Sequence, residues 1–160
     1  MQDARCKIHT PRDLQNRVSC FAKAIMSYKQ LKVWQMARGL TVDIHRMTMS
    51  ALPHHEMYEE GSQIRRAIKS VRSNIVEGYG RRSYKKEFVR FLVVAHASCD
   101  EAKDHLEILH ETGSLADESL FNDLSSRIDD LSKALSGFIR AVETQHLSAR
   151  EEPAENYRGA

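Results

Sequence analysis

From residue 30 onward, apolar side chains return every three or four positions, in four successive runs separated by turn residues. The first run is Val33, Ala37, Leu40, Ile44, Met47 and Ala51. Its spacing predicts a helix over residues 30–50, closed by Pro53, which cannot continue a helical hydrogen-bond ladder. The second run, Ile64, Ile68, Val71 and Ile75, predicts a helix over residues 57–77. Gly78 is expected just past its end, in the left-handed conformation that glycine adopts without steric cost. Ser83 is expected to cap a third helix that reaches about Thr112, with Phe88, Leu92, Ala95, Cys99, Ala102, Leu106 and Leu109 on one face and Gly113 as its stop. Asp117 is expected to cap a fourth, striped by Phe121, Leu124, Ile128, Leu131, Leu135, Phe138 and Val142.

Short links after the second and third helices force consecutive helices to run antiparallel. The fold class is therefore all-α, an antiparallel up-down four-helix bundle, with coiled-coil-like packing of long heptad stripes. The bundle is expected over residues 28–146, and no strand pattern or internal repeat interrupts it. Residues 1–27 read as an N-terminal extension. It is expected to be either a short helix opened by Thr10-Pro11, with Leu14, Val18, Phe21 and Ile25 on one side and too short to be stable alone, or a disordered segment. Met26 is an alternative start, because the sustained pattern begins just after it. Residues 147–160 lack any apolar period and are expected to form a disordered tail. Beside the apolar face of the second helix lies a second stripe, Gln63, Ala67, Ser70, Asn74 and Glu77. Such small and polar residues let another helix approach closely. A polar network within an assembly and a solvated flank are both compatible with them.

With 41% hydrophobic residues, 160 residues suffice for one domain with a real core. No apolar run approaches the ~20 residues that cross a bilayer. Cys6, Cys20 and Cys99 form no CxxC pair, which argues against a disulfide framework or a thiolate zinc site and fits a reducing cytoplasm.

Charge is segregated within a chain of net +2. Between Ile64 and Arg90 stand Arg65, Arg66, Lys69, Arg72, Arg81, Arg82, Lys85, Lys86 and Arg90, against Glu77 and Glu87 only, a local excess of +7. Residues 99–131 carry an excess of −8. Arg81, Arg82, Lys85 and Lys86 crowd the expected N-terminus of the third helix, where the macrodipole disfavours cations by ~0.3–1 kcal/mol each. A bound phosphate would compensate, because free backbone N–H groups and basic side chains converge on it. Tyr79 and Tyr84 lie within the patch as candidate stacking platforms. A solvated charged helix face is the plain alternative. Trp34, beside the first stripe, reads as a core or interface aromatic rather than a base-stacking platform. The basic and acidic zones also fall at opposite ends of the bundle, which suits complementary contacts between subunits.

Catalytic patterns are sparse. Glu107–His110 and Glu143–His146 match the Glu-x-x-His element of di-metal carboxylate bundles. They sit at C-terminal ends of antiparallel neighbours, ~30–40 Å apart at 1.5 Å per residue, so they share no site. His96, Cys99 and Asp100 lack a fourth ligand at metal spacing, and His54-His55 falls on a loop. His45 and His105 read as flank residues. There is no G-x-S-x-G, P-loop or dinucleotide fingerprint. The expectation is no enzyme, no metal and no cofactor.

Leu31-Lys32-Val33-Trp34, Gln63-Ile64-Arg65-Arg66-Ala67, Asn74-Ile75-Val76-Glu77-Gly78-Tyr79-Gly80-Arg81 and Glu87-Phe88-Val89-Arg90-Phe91-Leu92 closely resemble the four-helix bundle proteins encoded in intervening sequences of bacterial 23S ribosomal RNA genes. The resemblance spans about residues 28–145 and rests most on the Asn-Ile-x-Glu-Gly signature. It implies a four-helix bundle that assembles as a homopentamer. That family is distantly similar to the accessory protein of diversity-generating retroelements, a pentamer thought to present nucleic acid to a reverse transcriptase. One departure stands out: the family's Ser-Ile-Pro segment is here Ser70-Val71-Arg72-Ser73, so the kink a proline would give is not expected.

The combined expectation is a cytoplasmic, non-catalytic homo-oligomer that binds RNA or DNA through the nine cations above and contacts no membrane. Gln63, Ser70, Asn74, Glu77 and Gly78 are assigned to structural or subunit contacts. A protein-binding scaffold without nucleic-acid contact is the alternative.

Overall fold

A computed structural model describes residues 27–145, so the expected N-terminal extension and C-terminal tail lie outside the described residues. Four helices follow one another: α1 (Lys32–Ser50), α2 (Glu60–Gly80), α3 (Lys85–Glu111) and α4 (Glu118–Gln145). Single 3-10 turns at Tyr28–Gln30 and His54–Met57 precede α1 and α2. The helices pack in ring order, α1 on α2, α2 on α3, α3 on α4 and α4 back on α1. Successive helices are antiparallel, as pairs of residues across the seams show. His105, late in α3, meets Glu60 at the start of α2, and Lys85, at the start of α3, meets Glu143 at the end of α4.

The predicted stripes form the core. Val33, Ala37, Leu40, Ile44 and Met47 from α1 and Ile64, Ile68, Val71 and Ile75 from α2 are buried. All seven stripe residues of α3 join them, with Leu124, Ile128, Leu131, Leu135 and Val142 from α4. Each fully buried Leu or Ile stabilises the fold by ~1.5–3 kcal/mol relative to exposure. Ala51 is exposed, and Phe121 and Phe138 are only half-buried at the rim. Trp34 is buried, with its ring edge against Tyr28.

Two helix ends form as predicted. Asp117 Oδ1 accepts the Leu120 amide at 3.0 Å and opens α4. Gly113, at φ 77°, closes α3, and its amide donates to the His110 carbonyl.

Three boundaries differ. Residues 57–59 do not belong to α2, because the segment after Pro53 takes a tighter 3-10 turn first. Glu56 of that turn is buried and accepts a hydrogen bond from Ser114 Oγ at 2.8 Å. Gly78 is not a left-handed stop. Helix α2 runs on to Gly80, and Arg81 N–H closes it on the carbonyls of Glu77 and Gly78. Ser83 does not cap α3. Tyr84 holds that position, and no side chain caps the helix. The reason is the turn itself, in which Tyr84 N–H donates to the Arg81 carbonyl at 2.8 Å.

Candidate nucleic-acid interface

The hydroxyls of Ser70 and Ser98 meet at 2.9 Å near the midpoints of α2 and α3 and divide the bundle into two halves. The half containing the α2–α3 turn comprises residues 27–36, 71–97 and 131–145. It holds ten Lys and Arg against three carboxylates. The other half holds seven against fourteen, so the described residues form a rod of +7 at one end and −7 at the other. Antiparallel pairing assembles this polarity from all four helices. It adds Lys29, Lys32, Lys133 and Arg140 to the basic end, cations that a contiguous stretch of sequence does not reveal.

Six of the nine predicted phosphate contacts lie in the basic half: Arg72, Arg81, Arg82, Lys85, Lys86 and Arg90. Arg81 caps α2, donates from Nε to Glu77 Oε1 at 2.8 Å, and sits 5.2 Å from the Phe91 ring. Arg82 donates to the Tyr79 carbonyl at 2.9 Å and covers the Tyr79 ring at 4.3 Å. Lys85 Nζ donates to the Glu143 carbonyl at 2.6 Å, in the last turn of α4. Arg90 lies 3.7 Å from Glu87. Lys86 is exposed and makes no ion pair or hydrogen bond to the described residues.

This geometry revises the electrostatics expected of the turn. Because α2 extends to Gly80, Arg81 and Arg82 occupy a helix C-terminus, where the macrodipole favours cations. Lys85 answers the C-terminus of α4 in the same way. Only Lys86, in the first turn of α3, stands against the dipole with nothing to offset it. The turn therefore does not demand an anion to be stable. What it offers is a positive surface.

Arg65, Arg66 and Lys69 fall on the other side of the midpoint. Arg65 turns inward and donates from Nη2 to the Met57 carbonyl at 2.7 Å, while its buried Nη1 has no partner. It clamps the 3-10 turn onto α2. Arg66 and Lys69 are exposed, and Lys69 shares a shallow groove with Arg72, Ser73, Val76 and Glu77. Tyr79 is buried, so its ring is no platform for a base, whereas Tyr84 is 69% exposed. Of the residues assigned to structural or subunit contacts, Gln63 and Glu77 are exposed and Gly78 is buried against Phe88 and Phe91. Asn74 Nδ2 donates to the Ser70 carbonyl and hydroxyl, extending the Ser70–Ser98 contact.

The three histidines of α3 are held by neighbours. His105 pairs with Glu60 at 2.8 Å, and His110 stacks on Phe121 with ring centres 4.0 Å apart. His96 lies 3.3 Å from Asp100 and 2.8 Å from Ser136 Oγ, a Ser-His-Asp order on an open helical surface. Mid-helix backbone N–H groups are already bonded, so nothing there would receive an oxyanion. No group of three metal-ligating side chains occurs among the described residues. Cys99 is buried at 0% exposure, and burial, reinforced by Asp100 and Asp129, pushes its thiol up to about 12. No helix among the described residues is long and apolar enough to cross a membrane.

A sequence model of the 23S rRNA-intervening sequence protein family matches residues 29–137. A crystal structure of a protein of unknown function from the S23 ribosomal protein family of Bacteroides thetaiotaomicron superposes with a TM-score of 0.62. It is 20% identical and covers 68% of this chain and 95% of its own, which establishes the shared fold. No curated protein matches the chain.

Proposed function

Because this chain belongs to the 23S rRNA-intervening sequence protein family, we propose that it is a non-catalytic helical bundle that binds RNA or DNA through its basic half. The observation that carries this reading is the balance of ten cations against three carboxylates in that half. Lys32, Lys86 and Arg140 carry it most directly, since their side chains are exposed and make no ion pair or hydrogen bond to the described residues. A phosphate backbone supplies the anions such a surface lacks, and neutralising it releases counterions.

The test is fluorescence anisotropy with a short single-stranded RNA and with a DNA duplex across a salt series. The Lys32→Gln, Lys86→Gln, Arg140→Gln triple variant is expected to bind more weakly. For the single strand its dependence of log affinity on log salt should be flatter by about 0.7 per lost contact. Unchanged affinity and slope would remove the basic half from the mechanism.

The opposed halves also favour self-association, with the positive end of one copy beside the negative end of another. We propose that the chain forms a homo-oligomer, a pentamer as its resemblance implies, in which one patch is repeated and avidity rises. Exposed Val93 and Val94 on α3 favour a protein contact as well, either with another copy or, in a scaffold role, with a different protein. Light scattering with and without the oligonucleotide reads both stoichiometry and binding.

A further inference from the structure

A recess of about 710 Å3 opens where the Tyr28–Gln30 turn leads into α1 and α1 leans on α2. Its lining is Tyr28, Lys29, Trp34, Gln35, Arg38 and Arg72, three cations and two aromatic rings with no carboxylate. The walls are held in place. Gln35 Nε2 donates to the Lys29 carbonyl at 3.0 Å, and the Lys29 amide donates to Ser27 Oγ at 3.2 Å. Tyr28 meets Trp34 edge-on with ring centres 5.3 Å apart. The Arg72 guanidinium lies 5.2 Å from the Trp34 ring centre. A guanidinium packed on a ring loses water from one face and keeps its N–H fork for an oxyanion. Lys29 and Arg38 side chains are exposed and form no ion pair or hydrogen bond with the described residues.

We infer that this recess is a nucleotide subsite for a single strand. Lys29, Arg38 and Arg72 take the phosphate, and the Tyr28 ring stacks on the base. The volume lies within the ~300–1,000 Å3 of small-ligand sites. Cations interleaved with aromatics are the chemistry that single strands use, whereas a duplex keeps its bases stacked away from such a wall. The inference rests on the nucleic-acid reading above and locates one point on it, at the edge of the basic half and apart from the α2–α3 turn.

Trp34 is the sole tryptophan of the chain, so its emission reports this recess alone. The experiment titrates the full chain with a 5′-phosphorylated uridine oligonucleotide, following Trp34 emission and, in parallel, the anisotropy of a labelled copy. A saturable change in emission that coincides with the anisotropy curve is expected. Arg38→Gln and Lys29→Gln, both at exposed positions, should each weaken it about ten-fold, or ~1.4 kcal/mol, with unchanged circular dichroism. Inorganic phosphate at the same concentration should leave emission unaltered. If the oligonucleotide binds by anisotropy while emission and the two variants' affinities stay at their unperturbed values, the recess is not the subsite, and the basic-half reading survives. If inorganic phosphate reproduces the response, the recess is a simple anion site and the inference is overturned. If anisotropy shows no binding of any strand, both readings fall together.

Discussion

Gly78 lies so close to Phe91 that a Cβ on the glycine would come within 3.0 Å of the phenylalanine Cβ and 3.1 Å of Phe88 Cδ2. Helices α2 and α3 therefore meet at a point where any side chain would have to push its neighbours back by a few tenths of an ångström. Two opposing terms decide what Gly78→Ala would do. Alanine gains ~1 kcal/mol of helix propensity, while overpacking a tight contact costs ~1–3 kcal/mol. Phe91 Cβ is fixed to the backbone of α3 and cannot swing aside, so the second term wins. Gly78→Ala should lower stability by ~1 kcal/mol. Gly80, two residues on, has nothing within 4 Å of its would-be Cβ, and Gly80→Ala should be neutral or stabilise by up to ~1 kcal/mol. Urea unfolding of the pair checks the argument. Equal shifts of the same sign would refute it.

The same glycine shows where sequence reading stops. A glycine after a helical stripe has two physical uses, a left-handed φ or a missing Cβ, and the spacing is identical for both. At Gly113 the first use holds, and at Gly78 the second does. The apolar stripes were legible because heptad spacing needs no partner to be recognised. Asp117 was legible because its cap is local. Ser83 looked equally good, yet the Arg81–Tyr84 turn takes the capping position one residue later. Charge was legible only as a contiguous run. Lys29, Lys32 and Arg140 join the basic end through antiparallel pairing, whereas Arg65, Arg66 and Lys69 leave it because they lie beyond the Ser70–Ser98 midpoint, and Arg65 is also turned inward onto the Met57 carbonyl.

Arg65 and Lys86 should therefore separate stability from binding. Arg65→Ala frees the Met57 carbonyl and is expected to cost ~1–3 kcal/mol of stability with little effect on nucleic-acid affinity at temperatures where the fold is intact. Lys86→Ala should hold or raise stability, by up to ~1 kcal/mol as the cation facing the α3 dipole is removed, while it weakens binding. Paired urea and anisotropy measurements read both quantities. Loss of affinity in Arg65→Ala without loss of stability would return that residue to the interface.

Arg127 joins α4 to α1, reaching Asp43 at 2.6 Å and Asp123 at 2.9 Å. The hydrogen bond to Asp43 is the chief reason its guanidinium is held above the ordinary arginine value. Exposed pairs contribute ~0–1 kcal/mol, and this three-membered group should lie at the upper edge of that range. Arg127→Met is expected to lower stability by ~1 kcal/mol, less at high salt. Arg127→Lys should recover only part of the loss, because an ammonium lacks the fork that serves two carboxylates. Full recovery by lysine would show that charge alone is at work.

Cys99 offers a pH-dependent test of the core. Its thiol rises from an ordinary 9.0 to about 12 because burial, then Asp100 and Asp129, penalise the thiolate, and its Sγ lies 3.6 Å from the Ile128 carbonyl. In the unfolded chain the thiol ionises near its ordinary value, so over the interval between the two the native state holds a proton that the unfolded state has released. The stabilisation is complete below the lower value and is lost as pH rises towards the upper one, at ~1.4 kcal/mol per pH unit. The informative quantity is the difference between the natural chain and Cys99→Ala, in which every other group, Cys6 and Cys20 included, is common to both. Urea unfolding across the interval should show the natural chain falling more steeply with pH, and the two stabilities converging. Parallel curves would mean that the Cys99 thiolate is tolerated inside the bundle, and with it more water between α3 and α4 than the packing of Cys99 against Ile128 allows.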